Sequence, residues 1–222
     1  MRFDQRIVIV TGAAGNLGRA VARAFSDHGA TLVLLDAKPG DSIVQTDLRN
    51  ASSVQQAIER TLERHRRIDV LCNIAGGFRM GPALHETPDS DWDFLFELNA
   101  KSVLNTSRAV VPVMIKAGGG KIVNVGAYAA QKGAAAMGAY IAAKSAVIRI
   151  TETMAAELRE KNINVNCVLP TIIDTPENRA AMPQADPRRW VAPQDLAAVI
   201  VFLASDAARA IHGAAIPVTG LS

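Results

Sequence analysis

The 222 residues carry 24 Lys and Arg against 21 Asp and Glu, a formal net charge of +3, and 49% are hydrophobic, enough to bury one sizeable core in a single domain over 1–222. No apolar stretch approaches the ~20 residues of a membrane span, the charged first residues lack a signal peptide's apolar core, and the basic residues are scattered rather than interleaved with aromatics. These features exclude a membrane protein and a nucleic-acid binder and predict a cytoplasmic protein.

Apolar runs rich in Val, Ile and Leu alternate with amphipathic stretches, the pattern of a parallel sheet covered by helices on both faces. In chain order, a strand is predicted over residues 6–10, a helix near 17–28, and strands over 31–35 and 43–45. A helix over 53–66 follows, with Ser52 or Ser53 as its cap and the basic residues 64–67 complementing its dipole. After a strand over 70–73 comes a long helix over 89–116, broken near Asn99 and ended by Gly118 to Gly120. A strand over 121–125, a helix over 139–161 and a strand over 164–168 lead to an irregular segment, 170–192. Its prolines 176, 183 and 187 predict no regular element, and its length suits a substrate lid. Pro193 opens the helix over 193–203, and a strand over 214–218 ends the pattern. Cys72 and Cys167 lie inside apolar runs and read as buried free thiols; no cluster of residues has metal-ligand spacing.

The first strand runs into Thr11-Gly12-Ala13-Ala14-Gly15-Asn16-Leu17-Gly18 and then a helix. Glycines 12, 15 and 18 suit a tight turn that sets backbone N–H groups and a positive helix end against a pyrophosphate. The strand before, the helix after and Asp36 at the end of the next strand give this triplet the context of a dinucleotide site in a Rossmann-type, doubly wound α/β sheet of seven strands. A turn used only for packing is the alternative. Asp36 can accept hydrogen bonds from both adenosine ribose hydroxyls and would repel a 2′-phosphate, which favours NAD(H). Arg19 and Lys38 soften that repulsion, leaving NADP(H) open, and a capping role is the alternative for Asp36.

Tyr140 and Lys144, four residues apart, share one face of a helix. With them the chain resembles the short-chain dehydrogenase/reductase family over essentially its whole length. The matching residues are Thr11-Gly12, Asp47-Leu48, Asn73-Ile74-Ala75-Gly76, Asn99, Tyr140 with Lys144, and Pro170 through Thr175. The resemblance implies hydride transfer between a nicotinamide and a small carbonyl, alcohol or quinonoid heteroaromatic, with Tyr140 as proton donor. A free phenol has a pKa of about 10, which the adjacent Lys144 ammonium is expected to lower. By the same resemblance Lys144 holds the nicotinamide ribose and Asn99 keeps a proton-relaying water, with a polar bridge across a helix break as the alternative for Asn99. Asp47 and Leu48 would contact the adenine, and Asn73, Ala75 and Gly76 would line the adenosine. Pro170, Ile173 and Thr175 would border the carboxamide and phosphate. A homo-dimer or homo-tetramer, built through the helix at 139–161 and the one before it, is also implied.

Three positions depart from the family pattern. Ala127 stands where a serine is usual, thirteen residues before the tyrosine, removing a donor worth roughly 2 to 4 kcal/mol in the transition state. Asn16 replaces a glycine of the turn, and Thr171 the glycine after Pro170. Ala127, the run Ala75-Gly76-Gly77-Phe78 and the segment 169–190 resemble the dihydropteridine reductase branch, which implies reduction of a quinonoid pterin by NADH. Phe78, Met182 and Trp190 would then form a flat substrate pocket, Met182 being otherwise a gap-filler and Trp190 a clamp for the lid. A catalytically weak, nicotinamide-sensing regulatory protein is the reading from another class.

Overall fold

The computed structural model describes residues 1–222. Seven parallel strands form one sheet in the order β3-β2-β1-β4-β5-β6-β7. They are β1 (Ile7–Thr11), β2 (Thr31–Asp36), β3 (Ile43–Gln45), β4 (Val70–Asn73), β5 (Gly120–Val125), β6 (Ile163–Pro170) and β7 (Ala215–Val218). Every residue of β1, β4 and β6 is buried, as expected of strands covered on both faces. Alternate side chains serve opposite layers. Val8 and Val10 join Phe25, Leu196 and Ile200 in one core, while Ile7 and Ile9 join Leu35, Ile58 and Met114 in the other. Helices α1 (Asn16–Asp27) and α7 (Pro193–Leu203) cover the first face, and α2 (Ala51–His65) and α4 (Ser102–Ala117) contribute to the second. No helix is long and apolar enough to cross a membrane, and Cys72 and Cys167 are buried free thiols.

The direction of winding reverses between β1 and β4, where a doubly wound sheet leaves a crevice at the carboxyl ends of its strands. Thr11 fastens that point: its hydroxyl accepts from the N–H groups of Ile74 at 3.0 Å and Ala75 at 3.1 Å. The opposite rim of the sheet is polar too, with Arg6 paired to Asp206 at 3.0 Å and the Lys121 ammonium donating to Asn164 Oδ1 at 2.6 Å.

Four local expectations are corrected. The cap of α2 is Asn50, whose Oδ1 accepts from the N–H groups of Ser52 (2.9 Å) and Ser53 (3.2 Å); Asn50 keeps an extended backbone, which lets it reach both amides. The long helix is re-pitched rather than broken: α3 (Asp89–Phe96) passes through a π-helical turn (Glu97–Lys101) into α4, the wide turn carrying Asn99. The helix expected over 139–161 is α5 (Gly138–Leu158), followed by a 3-10 turn (Arg159–Lys161). The segment 170–192 does contain regular structure, α6 (Pro176–Ala181), because Thr175 caps it and Pro176 sits in its first turn, where a missing N–H costs nothing. The glycine stop of α4 is as expected, with Gly118 at φ +86.

Candidate active site

The glycine turn is a cradle that side chains would fill. Gly12 lies at φ +64, and a Cβ there would sit 2.8 Å from Ala75 Cα, while one on Gly18 would collide with the Gly12 carbonyl oxygen. The start of α1, at Gly15, has no side-chain cap, so its first amides face the crevice as the positive end of a helix. Asp36 is locked beside them: Oδ2 accepts from Ala14 N at 3.0 Å and Oδ1 from Lys38 N at 2.9 Å. Each carboxylate oxygen retains a lone pair for a ribose hydroxyl. Arg19 turns to the glycine turn, donating to the Ala14 carbonyl and, at 2.6 Å, to Asn16 Oδ1. The Asn16 amide in turn donates to Glu177 Oε2 at 2.7 Å, a link from the turn to α6 between residues that no motif pairs.

Two residues expected at the cofactor have buried side chains. Leu48 is 6% exposed, and its side chain belongs to the core. Beside it the Arg49 guanidinium holds the Asp47 carboxyl below the usual carboxylate range. Asn73 is buried in a network rather than lining the crevice: its amide donates to Asn124 Oδ1 at 2.8 Å, and its own oxygen accepts from the Thr106 hydroxyl at 2.8 Å. A buried side-chain amide needs such partners, which tie β4 to β5 and α4.

On the other side of the crevice, Lys144 is 4% exposed and its ammonium donates to the Val125 carbonyl at 2.7 Å. Burial pushes its pKa down to about 8. One turn earlier on α5, Tyr140 is partly buried, its ring edge-to-face with Phe78 at 4.9 Å between centroids. Burial pushes its phenol up to about 12, since loss of water disfavours the phenolate, where the Lys144 ammonium was expected to lower it; that ammonium spends one of its three N–H donors on Val125. Asn99 is 1% exposed and is braced by Gly77, donating to its carbonyl at 3.0 Å and accepting from its N–H at 3.1 Å. Gly76 is where these groups converge, since a Cβ there would lie 2.8 Å from Asn99 Oδ1 and 3.0 Å from Lys144 Nζ.

Ala127 is 4% exposed and packs with Val147, Ile148 and Leu169, so the usual serine position is apolar. Of the three residues expected to contact substrate, Phe78 touches Tyr140. Trp190 is 7% exposed, its ring packed inside the fold, while Met182 ends α6 and is half-buried. The segment 170–192 is fastened to itself: Ile173 bridges Val191, Thr175 Oγ1 accepts from Asn178 N at 3.2 Å, and Arg179 pairs with Asp174 at 2.6 Å. Two residues that no motif singled out, Arg79 and Asp91, share a crevice with Tyr140.

The family model described as enoyl-(acyl carrier protein) reductase matches residues 12–220. The 3-oxoacyl-[acyl-carrier-protein] reductase FabG of Thermotoga maritima is 32% identical, the match covering 99% of this chain and 98% of that protein. This chain belongs to the short-chain dehydrogenase/reductase family. An NAD-dependent glycerol dehydrogenase of Listeria innocua is 33% identical over 95% of this chain and 91% of its own. A short-chain type dehydrogenase/reductase from Mycobacterium ulcerans superposes on the whole chain and 90% of its own, with a TM-score of 0.92 at 25% identity. As a short-chain dehydrogenase/reductase, the chain is an NAD(P)-dependent oxidoreductase. These matches lend no support to the dihydropteridine reductase branch.

Proposed function

We propose that this chain reduces a small carbonyl compound to an alcohol with NADH, Tyr140 delivering the proton. The observation that carries the reading is the convergence of Asn99 Oδ1 and Lys144 Nζ on Gly76, one helical turn from Tyr140. The glycine cradle and the start of α1 fit a pyrophosphate, and Asp36 fits two ribose hydroxyls while opposing a 2′-phosphate, so NAD(H) is favoured over NADP(H). Ala75, Gly76, Pro170, Ile173 and Thr175 border the rest of the dinucleotide in this reading. When bound, the reduced nicotinamide supplies the hydride.

The chain's own residues handle the proton. A phenol held near pKa 12 by burial carries its proton at neutral pH and can serve as the donor. Once Tyr140 Oη gives up its proton, the Lys144 ammonium is the nearest positive charge on the same helix face, and its pKa of about 8 suits exchange with solvent. A water held at Asn99 Oδ1, which keeps a free lone pair, connects that ammonium to the outside. The relatives named as reductases and dehydrogenases of carbonyls and polyols support the substrate class.

Stopped-flow and steady-state assays test this. Tyr140→Phe is expected to lower NADH-dependent turnover by about 100-fold or more, with the NADH dissociation constant within about threefold of the parent. Full turnover in that variant removes Tyr140 from the role. Parallel titrations are expected to show tighter binding of NADH than of NADPH. In the same reading the part-exposed small residues Ala142 and Ala146 on α5 form a subunit contact, and light scattering is expected to give a dimer or tetramer.

A further inference from the structure

Between the loop after β4 and the start of α5, a crevice of about 10 Å³ opens against Tyr140, with Arg79, Asp91 and Thr87 as its polar lining. Arg79 is held from two sides. Its Nη1 donates to Asp91 Oδ1, and its guanidinium stacks on the Phe94 ring, 3.8 Å from the centroid. The ion pair spends one of the five guanidinium N–H donors, and the second carboxylate oxygen of Asp91 accepts nothing within the protein.

We propose that the Arg79–Asp91 pair is the specificity element of this enzyme, reading a hydroxyl on the carbon next to the reacting carbonyl. The substrate is then a neutral α-hydroxy ketone or aldehyde, and the product a vicinal diol. The inference rests on Tyr140 being the proton donor. Size, polarity and charge all point the same way. About 10 Å³ is the space of one water-sized group, which a hydroxyl fills and a carboxylate or an alkyl branch overfills. A hydroxyl both donates and accepts, and the pair offers an unspent acceptor beside unspent donors. The pair is neutral as a unit, so an anionic substrate finds no unpaired positive charge to hold it there and is left with the cost of losing water. Ala127 supplies the complement: with no hydroxyl there, the carbonyl oxygen is left to Tyr140, and substrate orientation needs a second polar handle, which the pair provides. In the reaction, hydride adds to the carbonyl carbon and the Tyr140 proton to its oxygen; the neighbouring hydroxyl is held and not consumed.

Hydroxyacetone, butanone and pyruvate test this, because the first two differ by a hydroxyl against a methyl and the third carries an anion. With NADH, hydroxyacetone is expected to exceed butanone about tenfold or more in kcat/KM, the size of one directed hydrogen bond, and pyruvate to be the poorest. Arg79→Met is expected to raise KM for hydroxyacetone about tenfold with kcat little changed, leaving kcat/KM for butanone within about twofold. Asp91→Asn, which keeps the shape of the side chain, is expected to raise the hydroxyacetone KM in the same selective way, and circular dichroism reports whether either variant is folded. Equal use of hydroxyacetone and butanone, equal losses on both in the variants, or a preference for pyruvate overturns the proposal, the crevice then holding a structural water only. Reduction of none of the three by protein that binds NADH overturns the Tyr140 assignment, and this proposal with it.

Discussion

The ammonium of Lys144 sits almost wholly out of water, and burial lowers its pKa to about 8, whereas an unfolded lysine titrates near 10.4. Between those values the unfolded chain holds this proton and the folded one does not, so the contribution of Lys144 to stability rises with pH across the window, by up to about 1.4 kcal/mol per pH unit, while the Cys72 and Cys167 thiols, pushed up by burial, contribute in the opposite sense. Lys144→Met is expected to remove the rising part, so that its urea midpoint changes more unfavourably between pH 8 and pH 10 than the parent's. Ala127 gives a second expectation. Ala127→Ser restores a donor beside Tyr140 and is expected to raise kcat/KM for a plain ketone about tenfold or more, with the hydroxyl costing about 1 kcal/mol of stability among Val147, Ile148 and Leu169 if unpaired. At this scale the sequence disclosed the Tyr140–Lys144 pair because helical spacing alone aligns residues four apart. It could not disclose where the ammonium points, since that depends on a carbonyl of β5, nor that Asn73 is consumed by Asn124 and Thr106.

Among the elements, α6 sets its Glu177 carboxylate against Asn16, in the first turn of α1, from 161 residues away in sequence. A negative charge at the positive end of α1 occupies ground that a pyrophosphate is proposed to share. Glu177→Gln is therefore expected to tighten NADH binding about three- to tenfold, read by nucleotide fluorescence; weaker binding would instead make the carboxylate part of the cofactor's support. Asn50→Ala removes the cap of α2 and is expected to cost about 1 kcal/mol in urea unfolding. Periodicity made α1, α2, α4, α5 and α7 legible, and the glycine stop after α4 was plain. Yet α6 was hidden, because Pro176 reads as a breaker unless Thr175 is seen to cap the turn it begins. The π turn at Asn99 was legible only as a disturbance: a break and an added residue leave the same fault in the apolar rhythm.

The molecule as a whole was the most legible scale, because strands covered on both faces are written as unbroken apolar runs. Phe25 shows what those runs enclose: fully buried and edge-to-face with Phe3 at 5.0 Å, it is expected to cost about 3 to 5 kcal/mol on Phe25→Ala, measured by urea unfolding. The sheet also keeps two polar rims apart. Chemistry gathers where the strands end, while Arg6 with Asp206 and Lys121 with Asn164 brace where they begin. The five residues of β1 span roughly 16 Å at about 3.3 Å per residue, farther than the ~8 Å over which salt water lets exposed charges feel one another. Heat tolerance can thus be engineered at the starting rim, by trading or adding ion pairs there, without detuning the proton chemistry at the far one.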